Sequence, residues 1–365
     1  MRTALSRRGF LSAALGTLLP VDFAASAPTT VFINGHIDPD GNHHVSGFDR
    51  SGDERFRLPL PDKAHGFAVD PVRPHRFVCL PTLPGTRALV VDAKLKKATT
   101  QIRARSGYHF FGHGCFSRDG KRLYVSENHV ESAQGVIGVY DANSLTMVDE
   151  LPGYGIGPHD IHLLPDDRTL VIASGGIKTH PSSGKRELNI NTMQSSLVYI
   201  DGFSGELLSN HSLPTPRLSI RHLDVSKNGS VIVACQYKGR SELPPLVGLH
   251  TGGSEIKILE TPDDELWPLQ NYTASARFVN ESTAVVSCPR GNRLTLWDLE
   301  QQRFVKSLSI NDVGGIEVSE DGHSVIASAN TGELYQIDIA KGSYQLMGEK
   351  WVNAKWTNHM NKVQL

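Results

Sequence analysis

The chain has 365 residues, with 37 Lys and Arg against 38 Asp and Glu, and is 39% hydrophobic and 21% charged. That is enough apolar material for an ordinary core and excludes a disordered or fibrous chain, while a formal charge of −1 gives no reason to expect a nucleic-acid partner. The 34 glycines and 20 prolines point to many turns, and so to a β-rich protein.

Residues 1–27 read as an export signal. Arg2, Arg7 and Arg8 precede the apolar run Gly9-Phe10-Leu11-Ser12-Ala13-Ala14-Leu15-Gly16-Thr17-Leu18-Leu19, and small residues follow at Ala24-Ala25-Ser26-Ala27. The run is too short to span a bilayer as a helix, so no membrane span is expected. Ser6-Arg7-Arg8-Gly9-Phe10-Leu11 matches a twin-arginine translocation motif, with an ordinary secretory signal as the alternative. Export through that route places the protein in the periplasm, with cleavage near residues 24–27 and Pro28 disfavouring a cut directly after Ala27.

From residue 28 onward the sequence repeats. Each unit is an apolar strand, a polar turn and a second apolar strand. The first is His65-Gly66-Phe67-Ala68-Val69 with Arg76-Phe77-Val78-Cys79. The next is His113-Gly114-Cys115-Phe116, the turn Ser117-Arg118-Asp119-Gly120, then Leu123-Tyr124-Val125. Further units start at His159, His222, Ser275 and Gly315. A third strand follows most hairpins and ends in aspartate, as at Asp92, Asp141, Asp201 and Asp298, where a turn cap is the expected role. A fourth, more polar strand returns, such as Arg303-Phe304-Val305-Lys306-Ser307-Leu308. Four antiparallel strands at a period of roughly 40–50 residues are the mark of a β-propeller blade.

Six units start at residues 65, 113, 159, 222, 275 and 315, and one strand remains at Trp356–Val363. The three strands needed to complete it lie at the other end, at Thr30–Ile33, Val45–Asp49 and Arg55–Leu58. The expected fold is therefore all-β, a single seven-bladed propeller over residues 28–365, its last blade closed by strands from both termini so that no sheet edge is left open. An eighth blade would need about 45 more residues at this period. The longest step, from His159 to His222, carries an insertion at 175–196, and insertions in repeat folds gather on one face, often the binding face. The four cysteines, Cys79, Cys115, Cys235 and Cys288, fall in different units without CxxC spacing, which favours buried free thiols over disulfides or a thiolate metal site.

The first strand of a propeller blade lines the central channel. Five of the seven starting positions are histidine: His65, His113, His159, His222 and His359; the others are Ser275 and Gly315. With 16 histidines in 365 residues, chance would place fewer than one there. Imidazoles converging on one axis at the channel mouth suit Fe, Cu, Ni or Zn, and the lack of thiolates argues against a closed structural zinc site. For any one of these residues a structural hydrogen-bonding role is the competing explanation. Loops between second and third strands should open on the same face, and with the strand that carries His159 they offer Glu127, His162, His180, Tyr237 and Arg290 as supporting or co-ligand-binding groups. No Gly-x-Ser-x-Gly elbow, phosphate-binding loop or HExxH helix occurs.

Ala64-His65-Gly66, Gly112-His113-Gly114, Gly157-Pro158-His159-Asp160, Arg221-His222-Leu223 and the insertion from Gly176-Ile177-Lys178-Thr179-His180-Pro181 to Asn189 and Met193 resemble the exported bacterial DUF1513 family, within the wider YVTN/WD40-like propellers. The resemblance spans essentially the whole mature chain. It implies exported partners of periplasmic iron-handling systems, alongside imelysin-like and haem proteins. Iron is then the expected ion, with copper second, and a monomer is expected. Three functions follow: a periplasmic metal-binding protein, a metal-dependent lactonase-like hydrolase, and an interaction platform built on the insertion and channel rim.

Overall fold

The polar turns at the ends of the innermost strands are built as their sequences require. In Ser117-Arg118-Asp119-Gly120, Ser117 Oγ donates to Asp119 Oδ1 at 2.7 Å, and the same oxygen accepts the Lys121 amide at 3.0 Å. Gly120 takes φ 65°, a left-handed conformation that a side chain would oppose. The aspartates closing the third strands cap the turns that follow. Asp141 Oδ1 accepts the Ser144 amide at 2.7 Å, and Asp201 Oδ1 accepts the Ser204 amide at 2.8 Å.

The computed structural model describes residues 29–348, 351 and 354–365; the export signal read at 1–27 lies outside the described residues. The strands form seven four-stranded antiparallel sheets. Blade one spans Ala64–Arg103, blade two Tyr108–Pro152, blade three Pro158–Ser212 and blade four Leu218–Ile258. Blade five spans Ala276–Ser309 and blade six Val313–Leu346. Blade seven places Lys355–Gln364 innermost, then Thr30–Ile37, His43–Phe48 and Glu54–Leu60, as expected from the two leftover ends of the sequence. Each innermost strand touches the next, and that of blade seven returns to blade one.

Second strands are buried along their length, as in Val231–Tyr237, because both faces of a blade meet a neighbouring blade. Apolar clusters fill every seam. Val78, Val90, Leu123 and Val125 join blades one and two, and Phe32, Ile326 and Trp356 join blades six and seven. Outer strands such as Lys97–Arg103 face solvent and stay polar. All four cysteines are free, and burial pushes the thiols of Cys79 and Cys288 up to about 12, which leaves them inert. No helix among the described residues is long and apolar enough to cross a membrane.

Candidate metal centre

Five of the innermost strands break register where a histidine sits. The shifts fall between Ala64 and Phe67, Phe110 and Gly114, Pro158 and Asp160, and Ile220 and His222. On the strand of blade seven the pairing skips from Trp356 to Met360, across His359. A bulge inserts an unpaired residue and re-aims the side chains around it, so the same device in several blades turns imidazoles onto the axis. The flanking glycines make room. A Cβ at Gly112 (φ 108°) would lie 2.4 Å from His65 Cδ2, and one at Gly66 would lie 2.6 Å from the Gly112 carbonyl oxygen.

The rings meet at the axis. His65 lies 4.8 Å from His113 and 4.6 Å from His359, and His222 lies 4.5 Å from His359, centroid to centroid. One nitrogen from each of His65, His113, His222 and His359 falls within 4.8 Å of all the others. His159 packs against His65, His113 and His222 at 5.0, 5.1 and 4.7 Å, beside this group of four rather than in it.

The hydrogen bonds fix which nitrogen is free. His113 Nδ1 lies 3.0 Å from Asp160 Oδ1, an acceptor, so the proton sits on Nδ1 and the Nε2 lone pair is left for a ligand. Ser275 Oγ gives its only proton to the Asn358 carbonyl at 2.6 Å, so it accepts from His359 Nδ1 at 3.1 Å, and His359 Nε2 is left free as well. His113 Nε2, His359 Nε2, His65 Nε2 and both nitrogens of His222 are buried with no hydrogen-bond partner. Burial, followed by repulsion among the rings and from Arg221, holds His65 and His159 well below the usual imidazole range; burial and the neighbouring rings do the same to His222 and His359. These rings are neutral at physiological pH, as ligation requires. Four imidazoles with orphaned buried nitrogens at ligand spacing suit a transition-metal ion.

Asp160 braces the arrangement. Its Oδ1 also faces His162 Nε2 at 3.5 Å, and its Oδ2 accepts the Leu223 amide at 3.1 Å, tying blade three to blades two and four. Burial works against its charge, but the facing His113 and His162 prevail and hold its carboxyl well below the usual range. A carboxylate behind a ligating histidine sets tautomer, orientation and basicity. Asp160→Asn should therefore weaken metal affinity about 10- to 100-fold without unfolding the protein. Competition against a chelator measures this, and unchanged affinity would remove Asp160 from the site.

The ring lies inside the channel rather than at its rim. Cavities of about 310 and 280 Å³ adjoin it on opposite sides; His113 and His359 line the larger, His65 and His159 the smaller, and His222 both. The insertion roofs the smaller one, where Ile177, Thr179 and Glu187 form part of the wall.

Of the expected supporting residues, His162 lines the larger cavity through its contact with Asp160. Arg290 stacks 4.1 Å over Tyr272, which lines the smaller cavity. The other three point elsewhere. Glu127 is buried against Tyr140 Oη at 2.5 Å and Arg105 at 3.6 Å. His180 turns back on Ser182 Oγ at 2.6 Å and caps a short 3-10 turn, and Tyr237 bonds Glu242. Asp160, Ser275 and Arg221 are the additions that the structure makes.

The family model described as proteins of unknown function, DUF1513, matches residues 58–363. The chain belongs to the DUF1513 family. All five channel histidines of this DUF1513 protein fall within the matched residues. No curated protein matches the chain. Among solved structures, a chain of hydrazine synthase from Kuenenia stuttgartiensis aligns with a TM-score of 0.60 at 16% identity, over 86% of this chain and 94% of that chain, a likeness of fold alone.

Proposed function

We propose that this protein binds one transition-metal ion in the channel, iron first and copper second, and serves iron uptake or handling in the periplasm after twin-arginine export. The observation that carries the reading is the set of four channel imidazoles, each with a buried unpartnered nitrogen, that bring one nitrogen apiece within 4.8 Å of the others. Buried polar groups without partners are costly, and a bound cation would satisfy one nitrogen of each ring together. An ion held only by neutral imidazoles keeps its full charge and has room for further ligands.

The lactonase-like alternative has less support. Such sites want several carboxylate or amide ligands, and Asp160, which approaches the ring, is already engaged with His113 and His162. The interaction-platform alternative draws on Leu188, Leu243 and Trp267, which are 45%, 38% and 67% exposed on the insertion and on two loops of blades four and five. In the metal-binding reading this is where an imelysin-like or haem-containing partner docks.

The deciding measurement is elemental analysis of protein exported by its own signal and purified without a histidine tag. We expect about one iron per chain. A metal-free protein that gains neither iron nor copper on anaerobic addition overturns the reading and leaves the histidines structural.

A further inference from the structure

The cavity of about 280 Å³ between the ring and the insertion is strongly basic. Lys63, Lys185, Arg221 and Lys238 line it against one carboxylate, Glu187. Glu187 is already taken, since its Oε1 lies 2.8 Å from Lys238 Nζ. Among the described residues, Lys185 Nζ reaches only the hydroxyl of Thr82, at 3.2 Å. These two contacts also show how the roof is held, one end on blade one and the other on blade four. Arg221 is the unusual group. Its Nε is buried without a partner, and among the described residues no carboxylate lies within ion-pair distance of its guanidinium. The cause is local: Arg221 is the extra residue of the bulge that aims His222, so its side chain is carried into the channel beside that imidazole. Burial pulls its pKa down to about 10, which still leaves it charged.

An unpaired guanidinium in a basic chamber is strongly unfavourable unless an anion enters. We propose that this chamber binds a small di- or tricarboxylate, its carboxylates paired with Arg221, Lys185 and Lys238. The shared chemistry is that of a multiply charged oxyanion, and size selects among them. At about 30 Å³ per water the chamber has room for roughly nine waters, more than one phosphate fills. The planar fork of arginine matches a carboxylate with two parallel hydrogen bonds. His65, His159 and His222 form part of the chamber wall, so the anion lies against the ring. In that respect the inference rests on the proposed metal site, where a carboxylate would offset charge that neutral imidazoles leave on the ion; the anion chamber itself does not.

Calorimetric titration of metal-free protein at low ionic strength tests it, with tricarballylate and inorganic phosphate as separate probes. Working without metal keeps chelation in solution out of the signal. We expect one saturable tricarballylate site, weakened about tenfold or more by Arg221→Gln and also weakened by Lys185→Gln, an exposed position on the insertion whose change leaves the ring intact. Tighter binding of phosphate than of tricarballylate would overturn the carboxylate assignment. No heat with either probe, or full-strength binding in both variants, would overturn the chamber as an anion site. Metal content of the same samples is read separately. Tricarballylate binding by a protein that never takes up metal would sink the metal reading and leave the anion site standing.

Discussion

Replacing His113 and His359 together by alanine should take the metal content from about one ion per chain to near zero. These two residues are chosen because their tautomers are fixed from behind, by Asp160 and by Ser275, so that each presents an unprotonated Nε2. Their loss leaves only His65 and His222 of the group of four, too few to hold a divalent ion against water. The fold should survive. Both side chains lie at the axis rather than in the apolar seams between blades, and their removal also deletes two buried unpartnered nitrogens. His180→Ala provides the contrast: that imidazole serves only its own turn, so full occupancy is expected. Elemental analysis beside circular dichroism reads both variants. An ion retained by the double variant, or lost equally from the His180 variant, would remove the ring as the site.

The second large effect is acid lability of the metal-free protein. His65, His159, His222 and His359 have folded-state pKa values well below the ordinary 6.5, so the unfolded chain binds more protons than the folded one as pH falls. Their stabilising contribution is complete above 6.5 and is lost below it. Each such group lowers stability more steeply the further pH falls below 6.5, and the four act in the same direction. His162 runs the other way. Burial opposes its charge but Asp160 prevails and raises its pKa, so its contribution is present at low pH and fades as pH rises through the raised value; one group does not offset four. The metal-free fold should then melt at steadily lower temperature as pH falls below 6.5. Thermal melts of metal-free protein from neutral pH downward test this, with metal-loaded protein expected to resist longer because the ion binds only the folded state. A melting temperature flat across that range would show that the rings are not held neutral.

The blade count and the closure by both termini were legible because the turn chemistry repeats at a nearly fixed period and the unmatched strands sum to one blade. The channel histidines were legible because topology places the start of each innermost strand on the axis. What lay beyond sequence reasoning is contact between blades. Asp160 could be placed on the strand of His159, but not against His113 of the preceding blade. Ser275 looked like a gap in a ring of histidines, yet it orients His359 from across the channel. Arg221 stands next to His222 in sequence, and only the bulge brings both onto the channel. Glu127 was misplaced because loop residues were assumed to face the axis. The second strand of blade two runs on to His129, and Glu127 sits within it against Tyr140 of the third strand and Arg105.

The four grouped histidines come from blades one, two, four and seven, and His359 lies on the strand that pairs with Thr30–Ile37. That pairing is where the circle of blades is joined up. An ion shared by His359 and His65 would span the junction like a clasp, reaching from the joining blade to its neighbour and across to blade four. Opening the circle would then have to wait for the ion to leave, so loading would register mainly as a longer lifetime of the closed form. In a protease-rich compartment, the empty and loaded proteins would differ in how long they survive.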